Sequence, residues 1–239
     1  MRRWLILFLA ALLCAGTGAR AAEGGAPAVL RYSSFDGGGH EYSVGIDDPS
    51  VLACEASYDY GGDALEVVDG AAYTLTFTFT GLKPGSTTVW VYGRSPVMEN
   101  DDALYTAEVD DSLNVTLTAV RAISTLFLYR SSADDSYHVT HERDGYLVSV
   151  SDGEARPIDD APMAALAQVV DAYDLARWDD FGESRQGVAH GESFWLEIGL
   201  TDGTRILARG QNAYPEDYFP AMDAMQAILE AAAAGGGLE

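Results

Sequence analysis

The sequence predicts an antiparallel β-sandwich followed by a small α+β domain. Before Val120, short runs alternate apolar and polar side chains between turn-forming residues, and no helical period is visible. Beyond Val120, two amphipathic stretches with helical spacing join further strand-like runs. The 239 residues suffice for two cores of ordinary domain size. We therefore expect a signal peptide over residues 1–21, the sandwich over residues 22–120 and the α+β domain over residues 121–235.

The first 21 residues have the pattern of an export signal. Arg2 and Arg3 give a cationic start, the apolar run WLILFLAALLCA follows, and the segment ends in the small-x-small pattern Ala-Arg-Ala. The apolar run is shorter than the roughly 20 residues that a membrane span needs. Acylation of Cys14 as a lipoprotein is disfavoured because the bulky Leu13 precedes it. The sequence predicts a secreted or extracytoplasmic protein with no membrane span after cleavage.

The clearest strand of the first half is residues 73–80 (YTLTFTFT). Its aromatic and aliphatic side chains fall on one face and its threonines on the other, as a half-buried strand requires. GLKPG at residues 81–85 supplies turn chemistry, and TTVWVY resumes the alternation. Trp90 and Tyr92 share one face of that run, which predicts either an exposed binding strip or a cover for a sheet edge or the second domain. Five further runs complete the predicted sandwich: AVLRYSS, HEYSVGI, SVLACEASY, LYTAEV and LNVTLTAV.

The second half combines strand-like runs with two amphipathic helices. The runs AISTLFLY, SYHVTHE, GYLVSVS, SFWLEIGL and TRILARG predict one antiparallel sheet. Apolar residues recur at helical spacing in residues 163–175, after a possible N-cap at Asp159, and again in residues 215–234. Both helices should pack against the sheet. The segments RWDDFGES, HGESFWLEIGLTDGTRI and GQNAYPEDYFPAM resemble an uncharacterised domain of secreted bacterial proteins, a likeness that implies no particular activity.

Charge and cysteine content exclude several classes of function. The formal charge of −23 becomes −26 when Arg2, Arg3 and Arg20 leave with the signal, so the chain is not expected to bind nucleic acid. The carboxylates are spread along the sequence, which favours a solvated, self-repelling surface. No Asp-x-Asp-x-Asp-Gly loop is present, so we predict no metal and no cofactor, with calcium left open. Cys54 stands alone in an alternating run and is interpreted as a packed thiol.

The common catalytic signatures are missing from the sequence. There is no Gly-x-Ser-x-Gly, no His-Glu-x-x-His and no P-loop. His138 and His141 would lie on opposite faces of a strand, which defeats a shared metal. Adjacent carboxylates such as Asp134 with Asp135, or Asp179 with Asp180, do not establish the separation of about 5–9 Å that a glycoside hydrolase needs. We predict that the protein is not an enzyme.

Three segments of the first half resemble the chagasin family of cysteine-peptidase inhibitors. They are HEYSVGIDDPSVLACEASYDY, VVDGAAYTLTFTFTGLKPGSTTVWVYGRSP and DALYTAEVD, within residues 28–118. The resemblance implies an immunoglobulin-like sandwich whose three end loops fill the cleft of a papain-like cysteine peptidase without catalysis. The family's first loop carries Asn-Pro-Thr-Thr-Gly, and the matching residues here are Asp36, Gly37, Gly38 and Gly39. Its second loop is glycine-rich and is matched by Asp69, Gly70 and Ala71. Its third loop carries Arg-Pro-Trp and is matched by Arg94, Ser95 and Pro96.

The alternative is an extracellular immunoglobulin-like adhesion or ligand-binding module without inhibitory activity. In that interpretation the three loops are ordinary turns, because the third loop lacks the family's aromatic residue and the first shares only its final glycine. The partner would then be another extracellular protein or a polymer.

Overall fold

A computed structural model of the protein describes residues 25–35, 38–61, 70–98, 100–133, 135–142, 145–187 and 191–235. Within these ranges fourteen strands form three sheets, and the α-helices number two. The predicted predominance of β-structure is therefore confirmed. The signal segment predicted for residues 1–21 lies outside the described residues.

The first half of the chain forms two antiparallel sheets. Its strands are β1 (Ala28–Phe35), β2 (Glu41–Ile46), β3 (Leu52–Asp59), β4 (Ala72–Gly81), β5 (Gly85–Arg94), β6 (Asp101–Val109) and β7 (Val115–Val120). One sheet has the order β1-β4-β3 and the other the order β2-β5-β6-β7. All the pairings in these two sheets are antiparallel.

The facing sides of these two sheets share one apolar core. Leu75, Phe77 and Phe79 of β4 are buried together with Val89 and Val91 of β5. The alternation in residues 73–80 predicts this inward face, and full burial of each such side chain contributes roughly 1.5–3 kcal/mol. The two sheets therefore form a sandwich whose strand ends, and the loops between them, are held in place by the core.

The second half forms one larger sheet with two α-helices and a short 3₁₀ helix (Leu175–Trp178). Its elements are β8 (Ile123–Arg130), β9 (Asp135–Glu142), β10 (Gly145–Val150), β11 (Arg156–Ile158), α1 (Asp160–Ala172), β12 (Gly182–Ser184), β13 (Ser193–Leu200), β14 (Arg205–Gln211) and α2 (Tyr218–Ala233). The strand order is β11-β10-β9-β8-β13-β14-β12. One edge departs from the predicted antiparallel sheet: β12 pairs parallel to β14, because β13 lies between them in sequence and no hairpin joins them.

The two helices cover one face of this seven-stranded sheet. Met163 and Leu166 of α1 and Met225 of α2 share a core with Leu128 and Ile198 of the sheet. Residues at alternate positions, such as Phe127 and Trp195, lie on the opposite face, which neither of the two described α-helices covers. In the described part of the chain, neither helix combines the length and the apolar character of a membrane span.

The outward face of the sandwich packs against the second half. Trp90 and Tyr92 are both less than a tenth exposed and belong to the core of the second half rather than to that of the sandwich. The imidazole of His141 in β9 stacks on Trp90 with ring centroids 3.6 Å apart. Tyr146 meets the same indole edge to face at 6.3 Å. The aromatic pair is thus buried between the halves, as one predicted alternative holds, and is not an exposed strip.

Candidate functional site

Strand register brings the three predicted loops to one end of the sandwich, called the loop end below. Phe35 pairs with Ala72, so β1 ends where β4 begins. Glu41 pairs with Arg94, so β2 begins where β5 ends. The loops at this end are residues 36–40, residues 60–71 and residues 95–100, named the first, second and third loops.

Side-chain hydrogen bonds join these loops and their flanking strands. The hydroxyl of Ser95 in the third loop donates to the carbonyl of Gly38 in the first, at 3.1 Å. The carbonyl of His40 accepts from the hydroxyls of Ser34 at 2.8 Å and Tyr73 at 3.4 Å. The described parts of the first and third loops are therefore joined directly, and the first is also bonded to β1 and β4.

Some of the predicted loop residues fall outside this description. Asp36, Gly37 and Asp69 lie outside the described residues. Gly70 is exposed with a φ of +89°, a conformation that glycine adopts without strain, and Ala71 is half-buried.

Gly39 is held in a crowded position rather than in an open turn. A Cβ on this residue would lie 2.3 Å from the Ser34 hydroxyl and 2.6 Å from the Phe35 carbonyl. Its own N–H donates to that carbonyl at 3.1 Å. The last of the three successive glycines is therefore required by close packing, and this part of the first loop is anchored on β1.

Arg94 is engaged within the chain rather than presented to a partner. Its guanidinium donates to the Asp102 carboxylate and, at 2.9 Å, to the carbonyl of His141 in the second half. It also lies 5.3 Å from the centroid of the Tyr92 ring. In the structure this predicted loop residue joins the two halves of the chain.

Ser95 organises the third loop around the exposed Pro96. Besides donating to the first loop, its hydroxyl accepts hydrogen bonds from the backbone N–H groups of Val97 at 3.3 Å and Met98 at 3.1 Å. This small turn leaves both of those side chains exposed.

Five large apolar or aromatic side chains are exposed at the loop end. Phe35 is 46% exposed and Val97 is 77% exposed, and both border Gly38. They are accompanied by Tyr58, Tyr60 and Met98. Sequence reasoning missed this group, although an apolar Val-Met pair after a proline and outside any alternating run was an available signal. Exposed apolar side chains gathered in one place are typical of interaction surfaces.

The border of the loop end is acidic. Glu41, Asp59 and Asp101 stand at the ends of the strands that carry the loops. Asp101 accepts a hydrogen bond from the Tyr42 hydroxyl at 2.7 Å. Because the neighbouring Arg94 is already paired with Asp102, these carboxylates give the border a negative charge that suits a partner with a cationic rim.

Cys54, Asp135 and Asp179 are engaged in packing or in hydrogen bonds within the chain. Burial, with a smaller contribution from Glu55, raises the pKa of the Cys54 thiol to about 11, so it is neutral near pH 7 and is not an activated nucleophile. Asp179 accepts the backbone N–H of Leu207 at 3.0 Å, and Asp135 accepts from Ser151 at 3.2 Å, while Asp134 lies outside the described residues. Among the described side chains, no group of three or more His, Cys, Asp or Glu is placed to hold a metal ion.

No known protein family, curated protein or solved structure matches this chain.

Proposed function

We propose that this protein is a secreted, noncatalytic binding protein that docks an extracellular protein through the loop end of a chagasin-like sandwich. The observation that carries the proposal is a set of exposed apolar side chains at the loop end, where Phe35 and Val97 flank Gly38 and Tyr58 and Tyr60 flank Tyr73. Aromatic and aliphatic anchors at the centre of an interface supply most of its binding energy, and the loops around them exclude water.

The strand order supports an immunoglobulin-like arrangement for residues 22–120. Three strands in the order β1-β4-β3 face a sheet in which β2, β5 and β6 are neighbours. In such an arrangement alternate loops lie at one end of a rigid core. Because folding already orders these loops, they lose less conformational entropy when they bind a partner. The proposed partner is a papain-like cysteine peptidase with an apolar cleft and a cationic rim.

A matched pair of variants tests the loop end. Phe35→Ser combined with Val97→Ser removes two anchors, whereas Leu82→Ser removes a side chain of similar exposure, 52%, from the turn at the opposite end of the sandwich. Titration of papain with the chain from residue 22 onward should show inhibition that the double variant weakens at least about tenfold, the equivalent of about 1.4 kcal/mol. Leu82→Ser should inhibit like the wild type. Absence of inhibition at micromolar protein overturns peptidase inhibition as the function.

The engagement of Arg94 favours a second candidate, an immunoglobulin-like adhesion or ligand-binding module without inhibitory activity. An arginine that bonds Asp102 and the His141 carbonyl is less available to a peptidase cleft. In that case papain activity is unaffected, but the same double variant still lowers capture of the natural partner. Equal capture by the double variant and the wild type would remove the loop end from both interpretations.

A further inference from the structure

A groove lies between the sandwich and the uncovered face of the seven-stranded sheet. Two adjoining cavities, of about 370 Å³ and about 270 Å³, share the lining residues Thr125, His138 and Glu197. The larger reaches Asp102 of the sandwich, and the smaller reaches Trp195 of β13. We call this combined feature the junction groove. Its volume is in the range that small-molecule sites occupy.

Charged side chains of the groove already have partners within the chain. Arg94 faces Asp102, and Arg205 pairs with Glu197 at 2.7 Å. Asp101 accepts from the Tyr42 hydroxyl. A strongly ionic ligand would have to compete with these internal pairs, whereas neutral hydroxyl groups can add hydrogen bonds to them.

The other end of the groove is aromatic. Trp195 is 45% exposed and meets Phe127 edge to face, with ring centroids 5.5 Å apart. Phe127 in turn lies 6.5 Å from the ring of His138. An exposed indole beside polar side chains suits a ligand with an apolar face and a rim of hydroxyls, because the ring supplies apolar contact area while its neighbours supply hydrogen bonds.

We propose that the junction groove binds a neutral oligosaccharide, with a pyranose ring stacked on Trp195 and sugar hydroxyls bonded to the polar side chains beside it. The groove touches the loop end at Met98, but Trp195 belongs to β13 of the second half, so the sugar does not depend on the identity of the protein partner.

Intrinsic fluorescence gives a local readout of this binding. Trp90 and Trp178 are buried, whereas Trp195 is exposed at the groove, so a stacked sugar should change mainly the emission of Trp195. The chain from residue 22 onward is titrated with cellotetraose, chitotetraose and maltotetraose, each followed by fluorescence and by calorimetry. Tetragalacturonate and benzylammonium serve as anionic and cationic comparisons. Pull-down on insoluble cellulose and chitin distinguishes a polymer from a free oligosaccharide as the source of the sugar.

We expect at least one neutral tetrasaccharide to bind more tightly than both charged probes. Trp195→Ala should lower its affinity roughly tenfold or more. Trp195→Phe should bind by calorimetry but lose the fluorescence change. Both substitutions change an exposed residue, so the fold should be kept. Phe35→Ser at the loop end should leave sugar affinity unchanged. The proposal is overturned if only the charged probes bind, if no probe binds, or if Trp195→Ala binds the sugar as tightly as the wild type does.

Discussion

His141 lies at the junction between the two halves of the chain, where its imidazole stacks on the indole ring of Trp90. Burial, reinforced by the positive charge of Arg94, lowers its pKa from 6.5 to about 4. Its Nδ1 has no hydrogen-bond partner among the described residues. The folded protein therefore holds this imidazole neutral under conditions in which the unfolded chain protonates it.

This shift predicts an acid-sensitive junction. Between pH 6.5 and about 4 the unfolded state takes up a proton that the folded state does not. The free energy of unfolding should therefore decrease as the pH is lowered through this range, by up to ~3 kcal/mol. His141→Phe keeps a stacked ring and removes the titration, so the wild type should lose stability relative to this variant over that range. Urea unfolding at several pH values measures the difference. Parallel stability curves for the two proteins would contradict the prediction.

At the scale of elements, Arg130 anchors helix α2 and the segment before β13 to strand β8. Its guanidinium bonds Glu192 at 2.6 Å and Asp223 at 2.5 Å, and lies 5.8 Å from the ring centroid of Tyr218. Burial opposes the ionisation of Glu192, but hydrogen bonds from Arg130 and Tyr218 outweigh it, so the pKa of that carboxyl is lowered. The arginine and the carboxylate thus depend on each other in a nearly buried setting.

A second arginine on the same side of the sheet provides a matched comparison. Arg177 also bonds two carboxylates, Glu216 and Asp217, but all three side chains are exposed. We expect Arg130→Met to lower the free energy of unfolding by about 3–5 kcal/mol, because it leaves the nearly buried Glu192 without a counter-charge. Arg177→Met should cost less than about 1 kcal/mol, as exposed ion pairs do. Chemical denaturation measures the free energy of unfolding of both variants. Equal losses would contradict the prediction that burial makes the Arg130 ion pairs the more important ones.

At the scale of the whole molecule, the two halves are joined by more than a linker. Trp90 and Tyr92 belong by sequence to the sandwich, yet they complete the core of the second half. A fragment limited to residues 22–120 would expose both rings on its outward sheet face, which favours self-association.

The fragment therefore makes a test of the junction. We expect residues 22–120 alone to associate at micromolar concentration, whereas the same fragment carrying Trp90→Thr and Tyr92→Thr should remain monomeric. Sedimentation velocity measures both states. If the wild-type fragment is monomeric and has the same thermal stability as the doubly substituted fragment, burial of these rings contributes little to holding the halves together. For the same reason, binding experiments on the loop end require the chain with both halves.

The sequence by itself determined the β-rich character, the inward face of β4 and the two amphipathic helices, because side-chain periodicity is a local property of each element. The sequence also predicted Cys54 as a packed thiol, and in the structure this thiol is half-buried and neutral. The parallel edge pair of β12 and β14 was not, because three residues without a periodic pattern carry no information about which strand they will meet.

Only the tertiary structure decided how these faces are used. Periodicity shows that Trp90 and Tyr92 share a face, but packing against His141 decides that the face is buried. The motif suggested Arg94 as a loop anchor, yet it bonds Asp102 of the next strand and the carbonyl of His141, which comes from a strand distant in sequence. The exposed cluster at the loop end and the junction groove likewise arise from residues brought together by long-range strand pairing, which no local pattern encodes.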